Sequence, residues 1–120
     1  MITSNALQVA AEFAAIDKAS FLAVRHAVET TAEELRDQWR ENATVTAGKH
    51  GKHYPKSINS KMVPSLTAVV AEIEPTEGMK QAGMSFEYGS VNQPPHLDGQ
   101  RALDQIGPDL PRRIERALRF

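Results

Sequence analysis

The sequence predicts an α+β fold in which a long amphipathic helix packs on a small antiparallel sheet, with a short helix and a C-terminal helix completing the chain. Three observations support this prediction. Apolar residues between positions 20 and 42 recur every three or four residues, which is the period of a helix buried along one face. Two short runs rich in β-branched residues follow at 57–63 and 66–73, as expected of a hairpin. Apolar residues return at helical spacing after Ala102.

The first segment, residues 7–18, is expected to form a short helix. It is rich in alanine, and Val9, Phe13 and Ile16 are spaced by four and three positions. The polar residues 3–5 precede it as candidate helix caps. The long helix is then expected over 20–42, with an apolar stripe formed by Phe21, Val24, Val28, Ala32, Leu35 and Trp39. Because such stripes usually face the core, Trp39 is interpreted as a core residue.

The helical period stops after Asn42, and residues 44–56 are expected to form a mobile loop rich in glycine, lysine and histidine. The hairpin follows, with Pro64 and Ser65 between its strands. Residues 79–88 can form a short helix that ends at Gly89 in the left-handed conformation. In residues 102–120 the helical pattern is interrupted by Gly107-Pro108 and again by Pro111.

Composition narrows the possible functions. The 120 residues are expected to form a single domain, 1–120, with one core. The chain has no cysteine, which excludes disulfides, thiolate zinc sites and thiol nucleophiles. Its formal net charge is -1, so the whole molecule has no field that attracts DNA or an anionic membrane. Neither a membrane span nor a secretory signal is visible, and a soluble protein made in the cytoplasm is expected.

Histidines offer the only visible metal chemistry. His50, His53 and His96 with Asp98 supply the ligand types of a metal-dependent hydrolase. A glycine-flanked loop does not preorganise such ligands, so solvated loop histidines are the favoured interpretation. No Gly-x-Ser-x-Gly elbow and no P-loop spacing is present. The sequence therefore predicts no enzyme activity and assigns no catalytic, metal-binding or cofactor-binding residue.

A basic cluster is the better functional candidate. Lys49, Lys52 and Lys56 surround Tyr54, and lysines beside an aromatic ring can contact phosphate groups or an acidic protein surface. A lysine-rich loop can equally be solvated and without a partner. A helix-turn-helix is excluded because the segment after the long helix contains too much glycine and proline for a recognition helix.

The order of these features resembles that of the tail-component family of long-tailed bacteriophages, the tail-completion or head-tail joining proteins, in a variant associated with phages of actinobacteria. The similarity is sharpest at Gly48–Ile58, with its Gly-Lys-His-Gly and Tyr-Pro-Lys-Ser-Ile steps, and at Phe86–Leu103, with Glu87-Tyr88-Gly89-Ser90 and Pro94-Pro95-His96. The sequence departs from the family pattern at Leu97-Asp98-Gly99 and at Pro111.

The resemblance implies a structural virion protein without catalytic activity, placed at the head-tail junction and present in host cytoplasm during assembly. The first implied partner is the protein itself, in a ring that is expected to be hexameric. The others are neck and tail proteins, such as a connector, a stopper, a tail terminator or the tail tube, and DNA in the channel. No membrane is implied. A ring needs complementary patches on opposite sides of one domain. The residues expected to form assembly contacts are Lys49, His50, Lys52, His53, Tyr54, Lys56, Glu87, Tyr88, Gly89, Asn92, Pro94 and Pro95.

The alternative function belongs to a different class. A small cytosolic metal-dependent hydrolase, or a nucleic-acid-binding protein, would use the loop that carries the histidines and lysines. The two classes differ in metal content and in the genes expected beside this one.

Overall fold

The computed structural model describes residues 6–12, 17–47, 53–79, 87–89 and 96–118. Their order along the chain is strand β1 (Leu7–Glu12), helix α1 (Lys18–Ala47), short helix α2 (Tyr54–Ser57), strands β2 (Ile58–Val63) and β3 (Ala68–Pro75), a 3-10 turn (Glu77–Met79), and helices α3 (Asp98–Ile106) and α4 (Asp109–Ala117). Helix α1 packs on one face of the sheet and also contacts α3 and α4. The predicted α+β fold, with a long helix on a small antiparallel sheet, is confirmed.

The sheet has three antiparallel strands in the order β1-β3-β2. Strand β3 is central and pairs Ala71 with Val9 on one side and with Met62 on the other. Alternate residues of β3, namely Val69, Ala71 and Ile73, are buried, because side chains of a strand point to opposite faces in turn. This alternation places the core between the sheet and α1.

Residues 7–12 form a strand, so the prediction of a helix over 7–18 is wrong for them. The spacing of Val9 from later apolar residues predicts a helix. In the structure, burial instead alternates from one residue to the next, as in a strand with one face in the core. Val9 and Ala11 are buried, while Gln8, Ala10 and Glu12 are exposed. Alanine favours helices intrinsically, but pairing with β3 outweighs that preference here. The proposed caps at 3–5 and the residues 13–16 lie outside the described residues.

The long helix is confirmed, and it extends beyond the predicted 20–42 at both ends. Asp17 caps its start, since the Asp17 carboxylate accepts a hydrogen bond from the Ser20 amide at 2.8 Å. This hydrogen bond lowers the pKa of Asp17. Most of the predicted stripe is buried, with Val28, Leu35 and Trp39 fully so, while Phe21 packs partly buried at its edge.

The loop predicted over 44–56 is wrong at both of its ends. Residues 44–47 continue α1, and residues 54–57 form α2. Threonine disfavours helices slightly, but the Thr46 hydroxyl donates a hydrogen bond to a carboxylate oxygen of Asp98 in α3 at 2.7 Å, a contact that holds the last turn. Residues 48–52 lie outside the described residues.

The predicted hairpin is confirmed as β2 and β3, joined by residues 64–67. In the C-terminal region, α3 begins at Asp98, before the predicted start at Ala102. The predicted break at Gly107-Pro108 is confirmed, since it separates α3 from α4. The predicted break at Pro111 is wrong. Pro111 is the third residue of α4, and amides in a first helical turn have no partner within the helix, so a proline fits there.

The predicted short helix over 79–88 lies mostly outside the described residues. Glu87 and Tyr88 are helical, and Gly89 has φ = 85°, so the predicted left-handed conformation of Gly89 is confirmed. No helix within the described part of the chain is both long enough and apolar enough to cross a membrane.

Candidate functional site

Glu87, one of the residues that carry the resemblance, contacts the start of α3, where the sequence departs from the family pattern. The Glu87 carboxylate accepts hydrogen bonds from the Gly99 amide at 2.8 Å and from the Gln100 amide at 2.9 Å, one on each oxygen. The Leu97 amide donates to the Glu87 carbonyl at 3.0 Å. The first amides of a helix have no partner within it, and a carboxylate is favoured near this positive end. Glu87 therefore caps α3 from a distant position in the chain.

This distant cap replaces a local one. Leu97 precedes α3 with φ = 54° and its side chain makes no capping hydrogen bond. A leucine in the left-handed region carries a steric cost, which surrounding contacts must offset. The hydrogen bonds that Glu87 accepts from the Leu97 amide and from the Gly99 and Gln100 amides after it supply such contacts.

Asp98, the first residue of α3, is the second buried carboxylate. One of its oxygens accepts from the Thr46 hydroxyl at 2.7 Å, and the other from the Arg101 guanidinium at 2.5 Å. The Asn42 side-chain amide donates to the Asp98 carbonyl at 3.0 Å, and His96 Nδ1 lies 3.8 Å from the Asp98 carboxylate. Asp98 thus connects the end of α1 with the start of α3. We call Asn42, Thr46, Glu87, His96, Asp98 and Arg101 the polar joint.

Aromatic rings form the apolar side of the polar joint. Trp39 and Tyr54 are both fully buried, and the Trp39 indole packs so closely against Gly99 that a Cβ atom there would lie 2.9 Å from the ring. Only glycine fits at this position without displacement. Burial raises the pKa of Tyr54 strongly, more than its contact with the Trp39 indole lowers it. Tyr54 therefore stays protonated and neutral.

The buried position of Glu87 raises the pKa of its carboxyl group. Burial raises the pKa of Glu87, the Gly99 and Gln100 amides lower it by a smaller amount, and the nearby Asp98 carboxylate raises it further. A raised carboxyl pKa beside a second carboxylate is a feature of some acid-base sites. Here, however, each of the four carboxylate oxygens already accepts a hydrogen bond from the protein itself. The arrangement is that of a clamp between segments.

Comparisons with protein-family models, with curated proteins and with solved structures found no match for this chain.

In the described part of the predicted basic cluster, Tyr54 lies apart from its exposed neighbours. Lys56 and His53 are exposed, whereas the Tyr54 side chain lies wholly inside the core. The expectation that the Tyr54 ring stacks on a partner is therefore wrong. Lys49, His50 and Lys52 lie outside the described residues. Arg40 donates to the Ile58 carbonyl at 2.8 Å and fixes α1 to the start of β2.

The other predicted assembly residues, which lie between Glu87 and Pro95, also differ in their exposure to solvent where the structure describes them. Glu87 is 2% exposed and Tyr88 is 39% exposed, so of these two the tyrosine has its side chain at the surface. Asn92, Pro94 and Pro95 lie outside the described residues. Among the described residues, no group of three histidine, aspartate or glutamate side chains could hold a metal ion. His96 is largely buried beside Asp98, so its interpretation as a solvated loop histidine is wrong.

Sequence reasoning missed the roles of Asn42, Thr46 and Arg101. Arg101 follows Asp98 by three positions, a spacing at which opposite charges meet on a helix, and this signal was available in the sequence. Asn42 and Thr46 carry no comparable signal, because their partner lies more than fifty positions away.

Proposed function

We propose that the protein is a structural component of the neck of a long-tailed bacteriophage, a tail-completion or head-tail joining protein that acts as a homo-oligomeric ring at the head-tail junction. One observation carries the proposal most directly. Glu87, in the Glu-Tyr-Gly-Ser step that resembles the joining proteins, caps α3 with both of its carboxylate oxygens engaged by amides of the chain itself. A carboxylate that only holds two segments of the chain together is expected in a structural protein without catalytic activity.

The sheet supports the same proposal. Among the described strands, β1 and β2 each pair on one side only, with β3 between them. The domain therefore offers different surfaces at its two flanks. A ring of identical subunits requires two different, complementary surfaces on one subunit, because each copy contacts its neighbours head to tail.

The first test uses gene order. If the proposal is correct, the gene lies among genes for portal, capsid and tail-tube proteins. A gene located among metabolic genes, together with stoichiometric metal in the purified protein, would favour the metal-dependent hydrolase instead.

The second test uses a phage in which the gene has been deleted. Wild-type protein supplied from a plasmid is expected to restore infectious particles. Replacement of Lys49, Lys52 and Lys56 by serine is expected to reduce the titre while the protein still folds, since a surface charge such as that of Lys56 contributes little to stability. A matched control replaces the exposed Lys18 and Arg25 by serine. Separate heads and tails in the deletion lysate support the joining role. Normal particles without the gene would contradict it.

A further inference from the structure

Three arginines lie together on one flank of α4. Arg112, Arg113 and Arg116 line one open groove of about 250 Å³, and Asp109 is the other described residue that lines it. A second groove, of about 270 Å³, lies between α1 and α4 and adjoins the first, because Arg113 and Arg116 line both. The two grooves therefore form one continuous surface. We call Arg112, Arg113 and Arg116 the basic flank.

The basic flank carries a local excess of positive charge. Asp109 is the one acidic side chain among the described residues that line the two grooves. Glu34 of α1 pairs with Arg113 at 2.5 Å from outside that lining, so three positive side chains meet two negative ones. Glu115 is the other acidic residue of α4, and at about 100° per residue it lies roughly 110° around the helix from the mean direction of the arginines. The formal charge of the whole chain, in contrast, is -1.

The three guanidinium groups differ in their availability to a ligand. Arg113 donates through both of its terminal nitrogens to acceptors on α1, at 2.9 and 2.5 Å. Arg112 donates to Asp109 through one terminal nitrogen at 2.5 Å, and its side chain is 72% exposed. Arg116 is exposed and forms no ion pair with any described residue. Since a guanidinium has five N–H donors, Arg112 and Arg116 can both donate to a further anion.

Arg112 and Arg116 point in the same direction. They are four positions apart in α4, so they lie on one face of the helix and about 6 Å apart along its axis, at 1.5 Å per residue. The apolar residues of α4 that pack on the core, Leu110 and Ile114, lie on the opposite side of the helix. The helix therefore presents two guanidinium groups side by side to solvent.

The other residues of the two grooves limit the kind of partner. Apart from Asp109 and the arginines, the described lining consists of His26, Thr30 and three alanines, Ala23, Ala27 and Ala117. A protein partner would find no large apolar side chain here, although the cores of protein–protein interfaces are apolar and rich in aromatic residues. The bases of a single strand would find no phenylalanine, tyrosine or tryptophan ring on which to stack. A polar, positively charged surface is instead typical of interfaces with DNA.

We propose that Arg112 and Arg116 donate hydrogen bonds to the phosphates of duplex DNA, while Arg113 holds α4 on α1. The planar guanidinium group matches the geometry of phosphate oxygens. The contact is independent of base sequence, because phosphates carry no sequence information directly. The inference deepens the proposed function and rests on it for the source of the DNA, which is the channel at the head-tail junction.

The salt dependence of binding tests the contact. Wild-type protein is titrated into a fluorescently labelled duplex of random sequence, and anisotropy is measured at several salt concentrations. Each neutralised phosphate contributes about −0.9 to the slope of log K against log salt concentration. Arg112→Gln with Arg116→Gln is therefore expected to make this slope less steep by about 1.8 per subunit and to weaken binding at low salt about ten-fold.

The matched control is Lys18→Gln with Arg25→Gln, which removes two exposed positive charges from α1 and is expected to leave the slope nearly unchanged. Circular dichroism checks that both double variants fold as the wild type does. Equal losses of binding in the two double variants, or no binding of the duplex by wild-type protein at low salt, would overturn the proposal.

Further measurements identify the chemical class of the ligand. Arg112→Lys with Arg116→Lys keeps both charges and is expected to keep the wild-type slope. A slope as shallow as that of the glutamine variant would contradict a contact with phosphate charges. Polyglutamate and single-stranded DNA are both expected to bind more weakly than the duplex. Equal or tighter binding of polyglutamate would indicate an acidic protein partner, equal or tighter binding of the single strand would indicate base stacking, and either result would overturn the proposal.

The outcomes separate the DNA contact from the proposed function. If wild-type protein binds the duplex with the expected slope but normal particles form without the gene, the contact stands and the joining role is wrong. If the wild-type gene restores infectious particles but the glutamine variant binds the duplex as tightly as wild-type protein does, the joining role stands and the DNA contact is wrong.

Discussion

At the residue scale, the polar joint depends on carboxylates that satisfy backbone groups far away in sequence. Glu87 caps α3, and Asp98 binds side chains from both α1 and α3. A buried donor left without an acceptor costs more than an average hydrogen bond contributes. The joint is therefore sensitive to changes of single atoms.

Gly99→Ala is expected to destabilise the protein by about 1–3 kcal/mol, because the added Cβ atom would lie 2.9 Å from the Trp39 ring in a packed interior. Urea denaturation followed by fluorescence measures this effect, since Trp39 is the only tryptophan in the chain. Gly78→Ala is the matched control, as no atom lies within 4 Å of the Cβ position there. Equal stability of the two variants would show that Gly99 does not pack on Trp39 in solution.

Glu87→Gln is expected to cost about 1–3 kcal/mol at pH 7, since an amide can accept only one of the two helix amides that the carboxylate accepts. Burial raises the pKa of Glu87 above its usual value of 4.5. The folded protein then binds this proton more tightly than the unfolded chain, so the contribution of Glu87 to the unfolding free energy falls as the pH rises through the raised pKa.

The stability difference between wild type and Glu87→Gln is therefore expected to increase as the pH is lowered from 7 towards 4.5. Asp17→Asn serves as a comparison of opposite sign. The Ser20 amide lowers the pKa of Asp17, so the stabilisation by Asp17 is present above pH 3.8 and is lost as the pH falls through the lowered pKa. Denaturation curves at several pH values measure both trends. A difference for Glu87 that shrinks in acid would contradict the expected direction.

At the element scale, the C-terminal helices depend on α1 to different degrees. Helix α3 buries Asp98, Gly99 and Ala102, whereas no residue of α4 is fully buried. Arg113 supplies a polar contact in place of buried area, because it bonds Thr31 and Glu34 of α1. Helix α4 is therefore expected to open before α3, since regions with few buried contacts open at lower free energy.

Arg113→Gln is expected to weaken the docking of α4 by about 1 kcal/mol, because the ion pair with Glu34 is partly exposed and is screened by solvent. Amide hydrogen exchange measures this as about five-fold faster exchange in α4, with α3 unchanged. Arg112→Gln is the control, as Arg112 pairs with Asp109 inside the same helix. Equal acceleration by both substitutions would mean that Arg113 does not hold α4 on α1.

At the scale of the whole molecule, the fold brings distant segments together. Strand β1 pairs with β3, about sixty positions later in the chain, and α1 contacts the sheet, α3 and α4. The buried residues of β1 therefore belong to the same core as those of α1 and β3. Removing the N-terminal strand would expose one side of the central strand.

Val9→Asp is expected to destabilise the protein by on the order of 3 kcal/mol or more, because it buries an unpaired charge. Ala10→Asp is expected to have little effect, since Ala10 is exposed on the other face of the strand. Circular dichroism during thermal unfolding distinguishes the two variants. Similar melting temperatures would contradict the alternation of a strand in this segment.

The sequence by itself determined the fold class, the long helix, the hairpin and the left-handed Gly89. Each of these follows from local information: a helical period sustained over twenty residues, two β-branched runs around a proline, and a glycine where a helix ends. The burial of Trp39 follows from the same stripe.

Only the tertiary structure decided the strand at residues 7–12, the last turn of α1 and the polar joint. Residues 7–12 of the alanine-rich first segment form a strand because β3 supplies their hydrogen-bond partners, which local propensity does not register. Glu87 accepts a hydrogen bond from an α3 amide 12 positions later in the chain. Asn42 and Thr46 donate hydrogen bonds to Asp98 of α3, which lies more than fifty positions after them. Tyr54 lies in the core although its neighbours are basic, because the turn of α2 directs its ring inward. Contacts between distant segments decide these features, and the pattern of neighbouring residues in the sequence does not predict such contacts.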